Sequence, residues 1–427
     1  MERSSRELAG SGVDYVFYTL VVFTLVFSTR LDTRLIALVY SCFVFWSASY
    51  LWPTIITGAA TAVLLVLRRV ISPPLKIVPV DMTGKTVIVT GANSGCGKET
   101  ARLLFLWGAT VIMACRDTNK AERTANEIRR QARGQKKGAG SLVVEYLDLE
   151  SFGSIRAFVR RLEAAGRGPA QRSLAVNVLV NNAGVRTDSL HVTADQIERH
   201  FQVNHLGHYL LTRLLLDALA AGAALSKTTS RVVHVASSAH AWGAVPAEVY
   251  GVQVRNADPV LFGARMASNI EGVYGDTKLM QVLFSAELQR RLRHLPIQSI
   301  AVHPGFVATR FGATDRRWLQ TLLVVTRPFL ARDPQQGALT QVLAATSPNL
   351  PRRAGLYLDN CTIQTPAPQA RDATSAAWLW DVSAQLVRLP ADLGLGSKGV
   401  PTADDGGERN DRGRTSDRMQ GVGEGLR

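Results

Sequence analysis

The segment Thr90-Gly91-Ala92-Asn93-Ser94-Gly95-Cys96-Gly97 constrains the fold most, because the apolar run Thr86-Val87-Ile88-Val89 precedes it and a helix-compatible stretch at 99–107 follows. Strand, glycine turn and helix in that order make a dinucleotide pyrophosphate site. Glycines allow positive φ and close backbone approach, while the free N–H groups and positive dipole end of the helix face the phosphates. The spacing is Gly-x-x-x-Gly-x-Gly. The common Gly-x-Gly-x-x-Gly fingerprint therefore applies only in its physical logic, and the altered spacing points to a narrower family.

Downstream, short β-branched runs alternate with longer stretches of helical apolar spacing. Strands are predicted at 85–90, 110–115, 142–147, 176–180, 231–235, 298–302 and 356–358. Helices are predicted at 99–107, 119–132, 151–164, 193–221, 274–293 and 334–345. Such alternation implies right-handed crossovers, hence an α/β fold with a doubly wound parallel sheet of Rossmann type, covered on both faces. Ligands in this architecture sit at the carboxyl ends of the strands, so the residues closing each strand carry the chemistry.

The rest of the 427 residues divides around that core. Residues 13–28 contain Asp14 as their one charge, and 35–67 contain none. A bilayer core of about 30 Å needs about 20 helical residues. The first run is marginal and the second is too long for one untilted span, with Pro53 the natural place to kink. The expectation is a membrane-anchoring segment at 1–81 with about two transmembrane helices, a catalytic domain at 82–387 and a disordered tail at 388–427 that lacks periodic apolar residues. A cleaved signal peptide fits less well, since a short basic start and a small-residue cleavage site are not evident. Arg68, Arg69 and Lys76 follow the last apolar residue and place that flank in the cytosol.

The net charge of +15 raises the question of nucleic acid. Part of the surplus is local, with 12 Lys or Arg against 6 Asp or Glu at 118–172. On a tethered enzyme such a face is expected to meet anionic lipid or simply solvent, and no nucleic-acid partner is expected. Cys42, Cys96, Cys115 and Cys361 show neither metal spacing nor a disulfide framework. His205 and His208 lie i,i+3 without a third ligand at metal spacing, so no metal is expected.

Tyr274 and Lys278 are four apart at the start of a predicted helix and share a face. An ammonium beside a phenol stabilises phenolate and moves its ionisation toward neutrality, although such a pair also occurs on any exposed helix. Ser237 and Ser238 close the fifth strand, where a hydroxyl can hold a substrate carbonyl or merely cap a turn. Pro304 and Gly305 turn the chain after the sixth strand, and Thr309 beyond them can bond a carboxamide.

Taken in order, Thr90–Gly97, Asn181-Asn182-Ala183-Gly184, Ser237, Tyr274-x-x-x-Lys278 and Pro304-Gly305 resemble the short-chain dehydrogenase/reductase superfamily across the whole core. Ala114-Cys115-Arg116-Asp117, Phe201–His208, Arg231–His240 and Pro334–Ala338 are similar to its retinol-dehydrogenase-like branch. The resemblance implies that Tyr274 is the general acid in reduction, that Lys278 lowers its pKa and bonds the nicotinamide ribose, and that Asn204 holds a water linking the lysine to solvent. It places Ser237, rather than Ser238, at the substrate oxygen. Gly91, Asn93, Ser94, Gly95, Cys96 and Gly97 would surround the pyrophosphate, Asp148 would face adenine, and Asn182, Ala183 and Gly184 would line the ribose. Pro304, Gly305, Val307 and Thr309 would hold the nicotinamide end.

Arg116 stands where the cofactor's 2′ position is read, since an arginine accommodates the 2′-phosphate whereas an acid would bind a free ribose hydroxyl. Cys115 occupies the place of that acid, and Asp117 is one residue late and suited to cap the next helix. NADP(H) is therefore expected in preference to NAD(H), which stays open as the second cofactor. The 37-residue interval between Ser237 and Tyr274 implies an enlarged loop over an apolar substrate, a retinoid, a steroid, or a lipid aldehyde or ketone. The expected partners are that small molecule and membrane lipid, at the endoplasmic reticulum or another internal membrane with the catalytic domain in the cytosol. The oligomeric state is open. A nucleotide-binding membrane scaffold without turnover and a protochlorophyllide-reductase-like enzyme are the competing readings.

Overall fold

The structure is a computed structural model that describes residues 74–132, 139–166, 174–187, 191–245, 270–307 and 331–393, together with residue 189 and scattered positions between 58 and 69. The chain divides into a unit ending at Ala391 and a second beginning at Asp392, and the elements below belong to the first.

In chain order these are β1 Thr86–Thr90, α1 Gly95–Leu106, β2 Thr110–Cys115, α2 Thr118–Ala132, β3 Ser141–Tyr146, α3 Phe152–Gly166 and β4 Val178–Asn181. A π-helical turn, Phe201–Leu206, leads into α4 Gly207–Leu214 and α5 Leu216–Ser226. Then come β5 Ser230–Val235, a 3₁₀ turn Ser238–Trp242, α6 Ile270–Arg291, β6 Ile297–His303, α7 Pro334–Thr346, β7 Tyr357–Asp359, β8 Thr362–Gln364 and α8 Ala373–Leu386.

The sheet order is β3-β2-β1-β4-β5-β6-β7-β8, parallel throughout except for the antiparallel β7–β8 pair. β1 lies between β2 and β4, so the chain reverses direction across the sheet there and opens a crevice at the carboxyl ends of both strands. Strand alternation assigns the faces. Val87, Val89, Val111, Met113, Val180, Val233 and Val302 pack with Ala101, Leu104, Ile128 and Val342 of α1, α2 and α7 in one apolar cluster. Ile88 and Leu179, of opposite parity, are equally buried toward the other layer, so the central strands read as continuous apolar runs. Each fully buried aliphatic contributes about 1.5–3 kcal/mol.

Three elements differ from the expectation. The predicted helix at 193–221 begins with a turn closed by the Thr193 N–H on the Ile197 carbonyl, with Gln196 at φ +61°. The helix then winds through the π turn and breaks at Leu215, bending 55° between its halves. Burial of both halves keeps the apolar periodicity running across the break. The β8 hairpin turns at Asn360 and Cys361, with φ +53° and +58°. Two successive left-handed residues make the primed turn that suits a hairpin, but Asn-Cys hides it where Asn-Gly would announce it. Third, α8 packs on α6 and places Trp380 against Tyr209 and Phe284.

The expected span at 13–28, most of 35–67, residues 246–269 of the loop expected between Ser237 and Tyr274, and residues 394–427 of the tail expected at 388–427 lie outside the described residues. Among the described residues no single helix is long and apolar enough to cross a membrane.

Candidate active site

The glycine turn interlocks with the end of β4. Thr90 Oγ1 accepts from the backbone N–H groups of Asn182 and Ala183, each at 2.9 Å, and the Asn182 amide donates to the Thr90 carbonyl at 2.8 Å. Gly91 has φ +66°, and a Cβ there would sit 3.1 Å from Ala183. A Cβ at Gly97 would lie 2.5 Å from the Gly91 carbonyl oxygen. The turn is therefore closed on itself, as a phosphate cradle requires, with Gly95 opening α1 at φ +55° behind Ser94 in an extended conformation. From the far side, Gly337 lets α7 approach, since a Cβ there would fall 2.6 Å from Val307 and 2.9 Å from Cys96 Sγ. Burial pushes the Cys96 thiol up to about 12.

A cavity of about 260 Å³ opens beside the turn, lined among others by Gly91, Asn93, Arg116, Lys120, Asp148 and Ala183. Its lining fits the adenosine half of a dinucleotide. Asp117 Oδ1 accepts from the Lys120 N–H at 2.8 Å and so caps α2. Asp148, at the end of β3, bonds the Glu150 N–H at 3.0 Å. Arg116 is half exposed and donates to Glu150 Oε1 at 2.5 Å, which Arg199 also holds, at 2.7 Å.

The reacting centre lies where β5, α6 and the π turn meet. Ser237 caps the 3₁₀ turn after β5 by accepting from the Ala239 N–H, and its side chain is hydrogen-bonded to the Tyr274 hydroxyl. Ser238 is exposed, and its N–H donates to His303 Nδ1 at 3.2 Å. Lys278 Nζ lies one helical turn beyond, 5.6 Å from the Tyr274 ring centroid. It donates to the Val235 carbonyl at 2.8 Å and to Gln281 Oε1 at 2.9 Å. Asn204, fully buried in the π turn, clamps Val185 by accepting from its N–H at 2.8 Å and donating to its carbonyl at 3.0 Å. The Asn204 carbonyl accepts from Gln281 Nε2 at 2.8 Å and from His208 Nδ1 at 3.3 Å, so the Gln281 side chain bridges asparagine and lysine.

Burial dominates the electrostatics. It pushes the Tyr274 phenol up to about 12, against the lowering effects of the Ser237 hydrogen bond and the Arg186 charge, and pulls Lys278 down to about 7. Burial thus keeps the phenol protonated and poises the lysine near neutrality. Arg186 lies 6.0 Å from the Tyr274 ring centroid.

Tyr274, Lys278, Ser237 and Asn204 thus converge, as do the Thr90–Gly97 turn and Asn182, Ala183 and Gly184. Pro304 and Gly305, with Gly305 at φ +84°, turn the chain after β6, and Val307 bridges to Arg332. Thr309 lies outside the described residues. Gln281, Arg186 and Glu150 carry no sequence motif and are found only by position. His205 and His208 bond Ser383 Oγ at 2.8 Å and Thr90 Oγ1 at 3.0 Å, and among the described residues no group of three metal-ligating side chains gathers.

Comparison with known proteins decides the family. Residues 85–252 match the short chain dehydrogenase family model. The chain is 37% identical to human retinol dehydrogenase 11 over 76% of its own length and 93% of the relative's, and 34% identical to human retinol dehydrogenase 14 over 78% and 97%. The chain belongs to the short-chain dehydrogenase/reductase family. A solved structure of an uncharacterized protein from Mycobacterium paratuberculosis, 31% identical, aligns over 72% of this chain and 94% of that one with a TM-score of 0.51. Within this family the chain is a retinol-dehydrogenase-like member, an oxidoreductase of alcohols and carbonyls that uses a nicotinamide dinucleotide. The turn, cavity and strand ends described above fit that cofactor.

Proposed function

We propose that this short-chain dehydrogenase/reductase is membrane-anchored and reduces the carbonyl of an apolar substrate with NADPH. The observation that carries the reading is the Tyr274 hydroxyl held by Ser237 beside the cradle. When bound, the nicotinamide exchanges a hydride with the substrate carbon. Tyr274, protonated throughout the neutral range, donates its proton to the carbonyl oxygen, and Ser237 orients the two oxygens by hydrogen bonding. The Lys278 ammonium supplies positive charge as the phenolate forms.

Arg116 and Lys120 at the cavity support a 2′-phosphate, because Asp117 is spent as a helix cap. Glu150 competes for Arg116 but keeps Arg199 as its other partner. Trp242 and Phe306, 68% and 48% exposed, follow the Ser237 turn and the Pro304-Gly305 turn, and support an apolar ligand such as a retinoid, a steroid or a lipid aldehyde or ketone. Val63 and Val66, 58% and 63% exposed on the described part of the helix before the core, support contact with lipid. The basic flank at Arg68 and Arg69 favours a cytosolic catalytic domain at an internal membrane.

The test is NADPH consumption by purified, detergent-solubilised protein with retinal, steroid ketones, long-chain aldehydes and polyprenals. Turnover of one class supports the reading. Consumption of none while NADPH binds transfers support to the nucleotide-binding scaffold.

A further inference from the structure

We propose that Gln281 is a positioning residue that holds Lys278 in place by bridging its ammonium group to the Asn204 backbone. The inference concerns how the lysine of the proposed reaction is held, and so rests on that reading for its catalytic meaning.

The bridge has one chemically consistent orientation. An ammonium has three donors and no acceptor, so the amide oxygen of Gln281 must face Nζ, at 2.9 Å. The amide nitrogen then faces the Asn204 carbonyl, at 2.8 Å. That carbonyl already receives His208, whose Nδ1–H donates to it while Nε2 accepts from Thr90 Oγ1 at 3.0 Å. Lys278, Gln281, Asn204, His208 and Thr90 therefore form a continuous buried chain from the lysine to the first residue of the glycine turn, with all five at most 4% exposed. Lys278 and Gln281 meet because they are i,i+3 on α6, and the π turn carries Asn204 up to them.

The groups facing this ammonium are Tyr274 from α6 itself, His208 from α4 and His303 from β6, with Arg186 beyond Tyr274. Burial holds both histidines neutral, at about 3 and about 4. The two carbonyl oxygens on Nζ, from Val235 and Gln281, are thus the groups that favour its charged form. Removing one favours the neutral amine, and a carboxylate in its place favours the ammonium.

The experiment titrates the full-length protein labelled with ¹³C at lysine Cε, the Lys278 signal being assigned by its loss in Lys278→Met. Gln281→Met keeps the side-chain volume without the hydrogen bonds and is expected to lower the Lys278 midpoint by about one pH unit. Gln281→Glu is expected to raise it by a similar amount and decides the matter if the methionine variant does not fold. A midpoint unchanged in either folded variant overturns the proposal. Carbonyl reduction measured in parallel separates the two readings: wild-type protein inactive on every carbonyl defeats the proposed function, while the titration still decides the role of Gln281.

Discussion

The Asn182 side-chain amide donates to the Thr90 backbone carbonyl at 2.8 Å, tying the end of β4 to the first residue of the glycine turn. Two motifs 92 residues apart thereby become one surface. Gly97 is the residue that lets them meet. In a helix, Gly→Ala ordinarily gains about 1 kcal/mol. Here the new methyl group would fall 2.5 Å from the Gly91 carbonyl oxygen, a backbone atom that cannot swing away. Gly97→Ala is therefore expected to weaken NADPH binding by about tenfold or more, measured by quenching of protein fluorescence, a loss of about 1.4 kcal/mol.

Arg116 governs the second cofactor prediction. Arg116→Ala removes the cation at the 2′ position and is expected to lower kcat/KM with NADPH by about tenfold to a hundredfold, leaving NADH within about twofold. Steady-state kinetics with both cofactors decide it. A wild-type preference for NADH that survives the substitution contradicts the assignment.

Acid stability follows from His205, His208 and His234, each pulled down to about 3 by burial. These values lie below the ordinary 6.5, so the unfolded chain binds protons that the folded one refuses. The histidine contribution is complete above about pH 6.5 and is lost as the pH drops toward about 3. The combined loss reaches several kcal/mol, comparable with the roughly 5–15 kcal/mol stability of an ordinary domain. Lys278 acts in the same direction at higher pH, its burial cost fading between about 7 and 10.5. Thermal unfolding in a pH series should show Tm falling steeply below pH 6.5. A flat Tm from pH 7 to 4 contradicts the buried neutral histidines.

Much of this molecule was legible in its residues. The parallel strands lie close to where β-branched runs predict them, because strands buried on both faces are apolar without interruption. Thr90–Gly97, Asn182 and Ser237 were readable because they close strands, and Tyr274 and Lys278 because an i,i+4 pair on a helix shares one face. The break at Leu215 was not, since both sides are core and share one periodicity. Gln281 was hidden for another reason: a glutamine three residues beyond a lysine on a helix is ordinary, and only the π turn brings Asn204 to it. The effect of burial on Tyr274 and Lys278 depends on desolvation, which spacing does not report.

The β7–β8 hairpin offers a stability test independent of catalysis. Cys361 at φ +58° carries the strain of a side chain in the left-handed region, about 1 kcal/mol. Cys361→Gly relieves it, keeping the backbone N–H bond to Thr340 Oγ1 and losing only the 3.6 Å Sγ contact with that hydroxyl. The expected outcome is a Tm raised by about 1–4 °C with unchanged cofactor binding, read by thermal unfolding with and without NADPH.

The most direct test of the account is Tyr274→Phe, which removes one hydroxyl from a half-buried ring and leaves the cradle intact. With a carbonyl substrate identified from the panel, the variant should bind NADPH within about twofold of wild type and lose turnover by about 10²–10⁴-fold. A variant that oxidises NADPH at the wild-type rate with the same substrate would contradict the assignment of Tyr274 as the proton donor.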